Sequence, residues 1–138
     1  MEIACIPPEK AVSWLGLAPD VRPAGKEDRG PLDYDKLLTL TGELGYRLMM
    51  SGAEIYRVEE SVRYLLGAYG VDTGEVFAIP NCLIVSLRAS GQRPLTVVRR
   101  IPGHGTDIYR MEALNDLCRR LCQEVPDLDE AWVRLDRV

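Results

Sequence analysis

The only histidine of the chain, His104, stands between Gly103 and Gly105. An imidazole held in such a loop can activate Ser51, Ser86 or a cysteine with Asp107 to orient it, the arrangement that nucleophilic catalysis uses. The Gly-x-Ser-x-Gly elbow that would support this reading is missing, and a lone loop histidine is more often simply solvated. Metal ligation would draw on Cys118 and Cys122, four residues apart, with His104 and Cys82. Both helix cysteines fall on an apolar stripe, where a free thiol behaves as a small hydrophobe, so no metal is expected. Carboxylates cluster at Glu54, Glu59 and Glu60, interleaved with Arg57 and Arg63. Their three- and four-residue spacings are those of ordinary helix ion pairs, worth about 0.2–0.5 kcal/mol each, and Glu54, one position inside a helix start, would favour the helix dipole. A basic group, Arg99, Arg100, Arg110, Arg119 and Arg120, could hold a phosphate, a carboxylate substrate or an anionic lipid. Adjacent strand residues face opposite ways, so Arg99 and Arg100 cannot both serve one site; one of them is expected to pair with a carboxylate such as Glu54 or Glu59.

These groups must be carried by elements that the pattern makes legible. Residues 1–32 hold five prolines and three glycines around a short apolar piece, Trp14-Leu15-Gly16-Leu17, and read as a flexible leader. A domain over 33–138 follows. Asp33 is a plausible N-cap for a helix bearing Leu37, Leu40, Leu44 and Leu48 at helical spacing, with Gly42 and Gly45 on another stripe that implies a tight helix contact. Ser51-Gly52 breaks it, and a second helix is expected from about Ala53 to Gly70, making a hairpin. Glu75–Ile79, Leu83–Arg88 and Leu95–Ile101 read as antiparallel strands. Asp107 caps a third helix that Pro126 stops, and Leu128, Ala131, Trp132 and Leu135 mark a short fourth. The expected class is α+β, with the helical hairpin and C-terminal helices on one face of a small antiparallel sheet of about three strands. The other sheet face, carrying Ser86, Arg88 and Arg100, is either solvated or covered by a partner.

Composition bounds the function. The 138 residues carry 17 Lys+Arg against 21 Asp+Glu, a net charge of −4, which gives no general attraction for nucleic acid. A hydrophobic share of 46% suffices for a core, yet no run approaches the ~18 apolar residues that span a bilayer. Four cysteines without Cys-x-x-Cys spacing, and no basic-then-apolar N-terminus, make reduced thiols and the cytosol the expectation.

The ordered text is more specific than any of these constellations. The run Leu48-Met49-Met50-Ser51-Gly52-Ala53-Glu54-Ile55-Tyr56-Arg57-Val58-Glu59-Glu60 is followed by Val76-Phe77-Ala78-Ile79-Pro80, Val97-Val98-Arg99-Arg100-Ile101-Pro102 and Leu114-Asn115-Asp116-Leu117-Cys118-Arg119-Arg120. In order and spacing these blocks resemble the N-terminal domain of the threonine/serine exporter-like family, over about Leu37 to Val138. The resemblance implies a cytosolic domain joined to membrane-spanning helices and proton-coupled export of small amino acids, or in related systems a small dicarboxylate. By position, Ser51, Gly52, Glu54, Tyr56, Arg57 and Glu59 match one family block, and Arg99, Arg100, Gly105, Asp107 and Asn115 another. Glu54, Tyr56, Arg57, Glu59, Arg99 and Arg100 are the candidate substrate-binding residues that follow. Gly103-His104 departs from the family pattern. With no spanning segment before Val138, the expectation is an excised domain or separate subunit at the cytoplasmic face of the membrane. It would regulate, sense substrate or assist assembly beside a membrane-embedded transporter domain or subunit, without cofactor or enzymatic activity. The alternatives are a small hydrolase using His104 with Ser51 or Asp107, and a homo-oligomerising module suggested by the glycine stripe and the uncovered sheet face.

Overall fold

Helix α1, Tyr34–Met50, opens where Asp33 turns its carboxylate onto the Lys36 amide at 3.1 Å, satisfying one of the amides a helix start leaves without a partner. The computed structural model describes residues 31–138 apart from Asp72 and Ser90; the leader expected over 1–32 lies almost wholly outside them. Leu37, Leu40, Leu44 and Leu48 are fully buried along one side of α1. The chain then reverses through a Schellman closure in which the Gly52 amide bonds the Met49 carbonyl and the Ala53 amide bonds that of Leu48, both at 3.1 Å. Gly52 takes the left-handed conformation, φ +91°, that this closure demands.

That closure corrects the expected start of the next helix. Because the Ala53 amide is spent on α1, helix α2 runs Ile55–Ala68 and Glu54 is its N-cap, with no side-chain capping bond. A second Schellman closure ends α2, with Val71 bonded to Leu66, Gly70 to Gly67, and Gly70 at φ +88°.

Strands β1 (Glu75–Ile79), β2 (Cys82–Leu87) and β3 (Leu95–Arg100) form an antiparallel sheet in that order. Alternation buries Val76, Ala78, Leu83, Val85 and Leu87 against the helices. The register leaves three rows on the outer face: Glu75–Ser86–Thr96, Phe77–Ile84–Val98 and Ile79–Cys82–Arg100. Arg88, expected within β2, falls just beyond its end.

Helix α3, Ile108–Glu124, starts on Asp107, whose carboxylate accepts from the Arg110 amide at 3.0 Å. It ends as Val125 turns left-handed at φ 44° ahead of Pro126. Helix α4, Leu128–Asp136, is capped by Asp127 and buries Leu128, Ala131 and Leu135. All four helices serve an α+β fold. The α1–α2 hairpin lies directly on the sheet, and α3 and α4 pack on that hairpin rather than on a strand.

The glycines of α1 mark the closest approach of these layers. A Cβ on Gly45 would stand 2.5 Å from Leu83 Cδ2 and 3.1 Å from Val62 Cγ2, and one on Gly42 would meet Val97 Cγ1 at 3.1 Å. The tight contact expected at this stripe is therefore chiefly with sheet side chains, with α2 contributing Val62.

Candidate functional site

Two backbone bonds bring the motif segments together. The Gly105 amide donates to the Met50 carbonyl and the Asp107 amide to that of Ser51, each at 3.1 Å. They staple the turn after α1 to the loop before α3, so that α2 and α3 start side by side. Gly52 is fixed here twice over, since a Cβ on it would lie 2.6 Å from the Gly105 carbonyl oxygen. The glycines and serine of this block thus shape the scaffold. Ser51 is 2% exposed and its hydroxyl donates to the Arg47 carbonyl at 2.8 Å.

Between α2 and α3 this arrangement opens a cleft of about 530 Å³ lined by Arg57, Tyr109, Glu112, Ala113, Asn115, Asp116 and Arg119. That volume lies within the range of small-molecule sites. Its wall mixes cations, anions and one amphipathic ring. Arg57 donates through Nε to the Tyr56 hydroxyl at 3.2 Å and lies 3.9 Å from the Glu54 carboxylate. The Tyr56 hydroxyl, with Glu54 and Glu60 nearby, holds the Arg57 guanidinium above its ordinary pKa, so it stays charged. Asp116 pairs with Arg119 at 3.4 Å and with Arg120 at 2.8 Å. Tyr109, 88% exposed, stands at the rim. One residue on this wall carries an unsatisfied group: Asn115 Oδ1 is buried and accepts no hydrogen bond from any described residue. A buried carbonyl left so costs about 1–3 kcal/mol, and such orphans are rare in folded proteins.

The six expected binding residues separate. Arg57 lines the cleft, with Tyr56 and Glu54 beside its guanidinium. Glu59 instead accepts from the Ala78 amide at 2.9 Å, closing an exposed position on the edge of β1. Arg99 and Arg100 fall on opposite sheet faces, as alternation requires. Arg99 turns inward, but its partner is Glu43 at 2.7 Å rather than Glu54 or Glu59, and its guanidinium stacks 4.4 Å from the Tyr46 ring centre. Glu43 also takes Arg47 Nε at 2.8 Å, and Arg47 reaches Leu135 O at 2.7 Å and Asp136 at 3.2 Å, tying β3, α1 and α4 in one chain of charges. Burial alone would raise the Glu43 pKa; the Arg47 and Arg99 guanidiniums outweigh it and hold the carboxyl below its usual range.

Sequence reasoning missed Glu43, Tyr109 and Glu112. Glu43 carried a signal, being the one acid in the middle of an otherwise apolar helix four residues before Arg47. Tyr109 and Glu112 join the cleft only through the staple, which no local pattern shows.

The hydrolase alternative does not assemble. His104 is exposed and bonds no described residue, the Ser51 hydroxyl is engaged by its own helix, and the Asp107 carboxylate caps α3. Cys118 and Cys122 are buried, the Cys118 thiol pushed well up by Cys122 and by burial. No cluster of three metal-ligating side chains occurs among the described residues.

A family model described as "Putative threonine/serine exporter", ThrE, matches residues 39–138. The chain belongs to the ThrE family. The match spans all four sequence blocks, from α1 through the cleft to the end of α4, and gives the chain an exporter-related role. No curated protein and no solved structure matches the chain. Among the described residues of this ThrE member, no helix is long and apolar enough to cross a membrane.

Proposed function

We propose that this chain is a cytoplasmic sensing module of a ThrE exporter and that the α2–α3 cleft takes a small zwitterionic amino acid such as threonine or serine. The observation that carries this reading is the orphaned, buried Asn115 Oδ1 on the wall of a charged cleft. An α-ammonium is a three-fold donor that would satisfy it, with Glu112 and Asp116 supplying negative charge beside it. The Arg57 and Arg119 guanidiniums provide the positive potential that an α-carboxylate needs. A dicarboxylate offers no donor to Asn115, so the cleft favours the amino acid.

Occupancy would bridge α2 to α3 and stiffen the staple between their starts, which is the means by which a ligand could be reported to a membrane-embedded transporter part. Isothermal titration of the full chain tests the reading. Heat with threonine or serine and none with succinate supports it; silence with both amino acids, or tighter binding of succinate, contradicts it.

A further inference from the structure

Among the described residues no helix lies over the outer face of the sheet, and the register gives that face an unusual pattern. Its middle row is Phe77, Ile84 and Val98, with Phe77 58% and Val98 62% exposed. Two opposite charges stand at diagonal corners: Glu75 opens β1 and Arg100 closes β3. Neither makes an ion pair with any described residue. Beside Glu75 the surface sinks into a depression of about 320 Å³ walled by Phe77, Ile84 and Ser86, with Arg63 at its margin.

We propose that a second copy of this chain covers this face, docked by a two-fold axis that lies in the interface and passes through Ile84. Four in-plane axes are available to a three-by-three grid, and the diagonal through Glu75 and Arg100 is excluded at once because it stacks Glu75 on Glu75 and Arg100 on Arg100. An axis along the strands lays Glu75 over Thr96 and Arg100 over Ile79. An axis across them lays Glu75 over Ile79 and Arg100 over Thr96. Either choice desolvates both charges without a partner, which costs several kcal/mol per ion and is not recovered. The other diagonal, between the Ile79 and Thr96 corners, lays Glu75 of each copy over Arg100 of the other, so symmetry makes two ion pairs at once and seats each arginine in the depression beside Glu75. Strands of the two sheets then cross at a steep angle, the orthogonal class of sheet packing. Phe77, Ile84 and Val98 form the dry centre between the two pairs.

The alternative use of an uncovered sheet, addition of a strand at its edge, is blocked on β1, where Glu59 occupies the Ala78 amide. Strand addition at either edge would leave the apolar row uncovered, whereas face packing buries it. The proposal is independent of the α2–α3 cleft, which lies on the opposite side of the hairpin from the sheet's outer face.

Sedimentation equilibrium of the full chain tests it. The wild type is expected to dimerise reversibly. Glu75→Arg or Arg100→Glu sets like charges together and weakens the dimer by about tenfold or more. The double variant, with the charges exchanged, restores it. All these positions are exposed, and circular dichroism confirms that each variant folds. A chain monomeric at every concentration, a dimer indifferent to both reversals, or a double variant no tighter than the singles overturns the proposal. So does a monomer that sediments with phosphatidylglycerol vesicles through Phe77, lost in Phe77→Glu, since that assigns the face to lipid.

Discussion

The Glu43 carboxylate meets the Arg99 guanidinium at 2.7 Å across the boundary between the helical hairpin and the sheet, and its other oxygen meets Arg47 at 2.8 Å. The acid thus ties α1 to β3, and Arg47 carries the chain on to α4; Glu43, Arg47 and Arg99 are each less than a third exposed. Partly buried, doubly bonded carboxylates of this kind are the ones whose loss is felt, because two guanidiniums are left behind.

Replacing Glu43 with Gln is therefore expected to destabilise the fold by about 1–3 kcal/mol, read from urea midpoints at neutral pH. A change below a few tenths would show that the pair is only a solvated contact.

The same carboxyl sets a pH dependence. Its folded pKa is lower than its ordinary value of 4.5, so the unfolded chain takes up its proton first as pH falls. The stabilisation is fully present above about pH 5 and is lost as pH drops through the folded value. Urea midpoints of the wild type should fall through that acid window, and those of Glu43→Gln should fall less steeply. Parallel curves would remove Glu43 as the source.

Gly52 offers a backbone test. Alanine there must hold φ +91° and place a Cβ 2.6 Å from the Gly105 carbonyl. Substitution should cost about 1–3 kcal/mol in stability and, by loosening the staple between the starts of α2 and α3, weaken amino-acid binding. Gly67→Ala, where a Cβ meets nothing within 4 Å, serves as the control and should be neutral or stabilising by up to about 1 kcal/mol.

Asn115 separates a binding residue from a structural one. In Asn115→Leu the buried, unsatisfied carbonyl is gone, so the fold should hold its melting temperature or gain. Threonine affinity should drop about tenfold or more, the cost of a hydrogen bond to a charged group. Loss of stability with unchanged affinity would make Asn115 part of the core instead.

How much of this was legible depended on whether the determining contact was local. Asp33 and Asp107 announced α1 and α3 because a cap and the stripe behind it lie within one turn of each other. The strands showed through period-two alternation, which also separated Arg99 from Arg100. The start of α2 misled, because the Ala53 amide is claimed by a carbonyl in the preceding helix, and a carboxylate that looked like the first turn became the cap. The partner of Arg99 was sought in the motif and found on α1, fifty-six residues away in the chain. Tyr109 and Glu112 reach the cleft only because two backbone bonds bring distant turns together. The ordered blocks carried the family without revealing that Glu59 braces a strand edge while Arg57 faces a cavity.

Mapping the ligand by amide chemical shifts reaches the central claim most directly. Titrating the isotopically labelled full chain with threonine should move the signals of Tyr56, Arg57, Tyr109, Asn115 and Asp116 together along one saturation curve. Saturable shifts confined to other residues, or none as threonine rises, would contradict a binding cleft between α2 and α3.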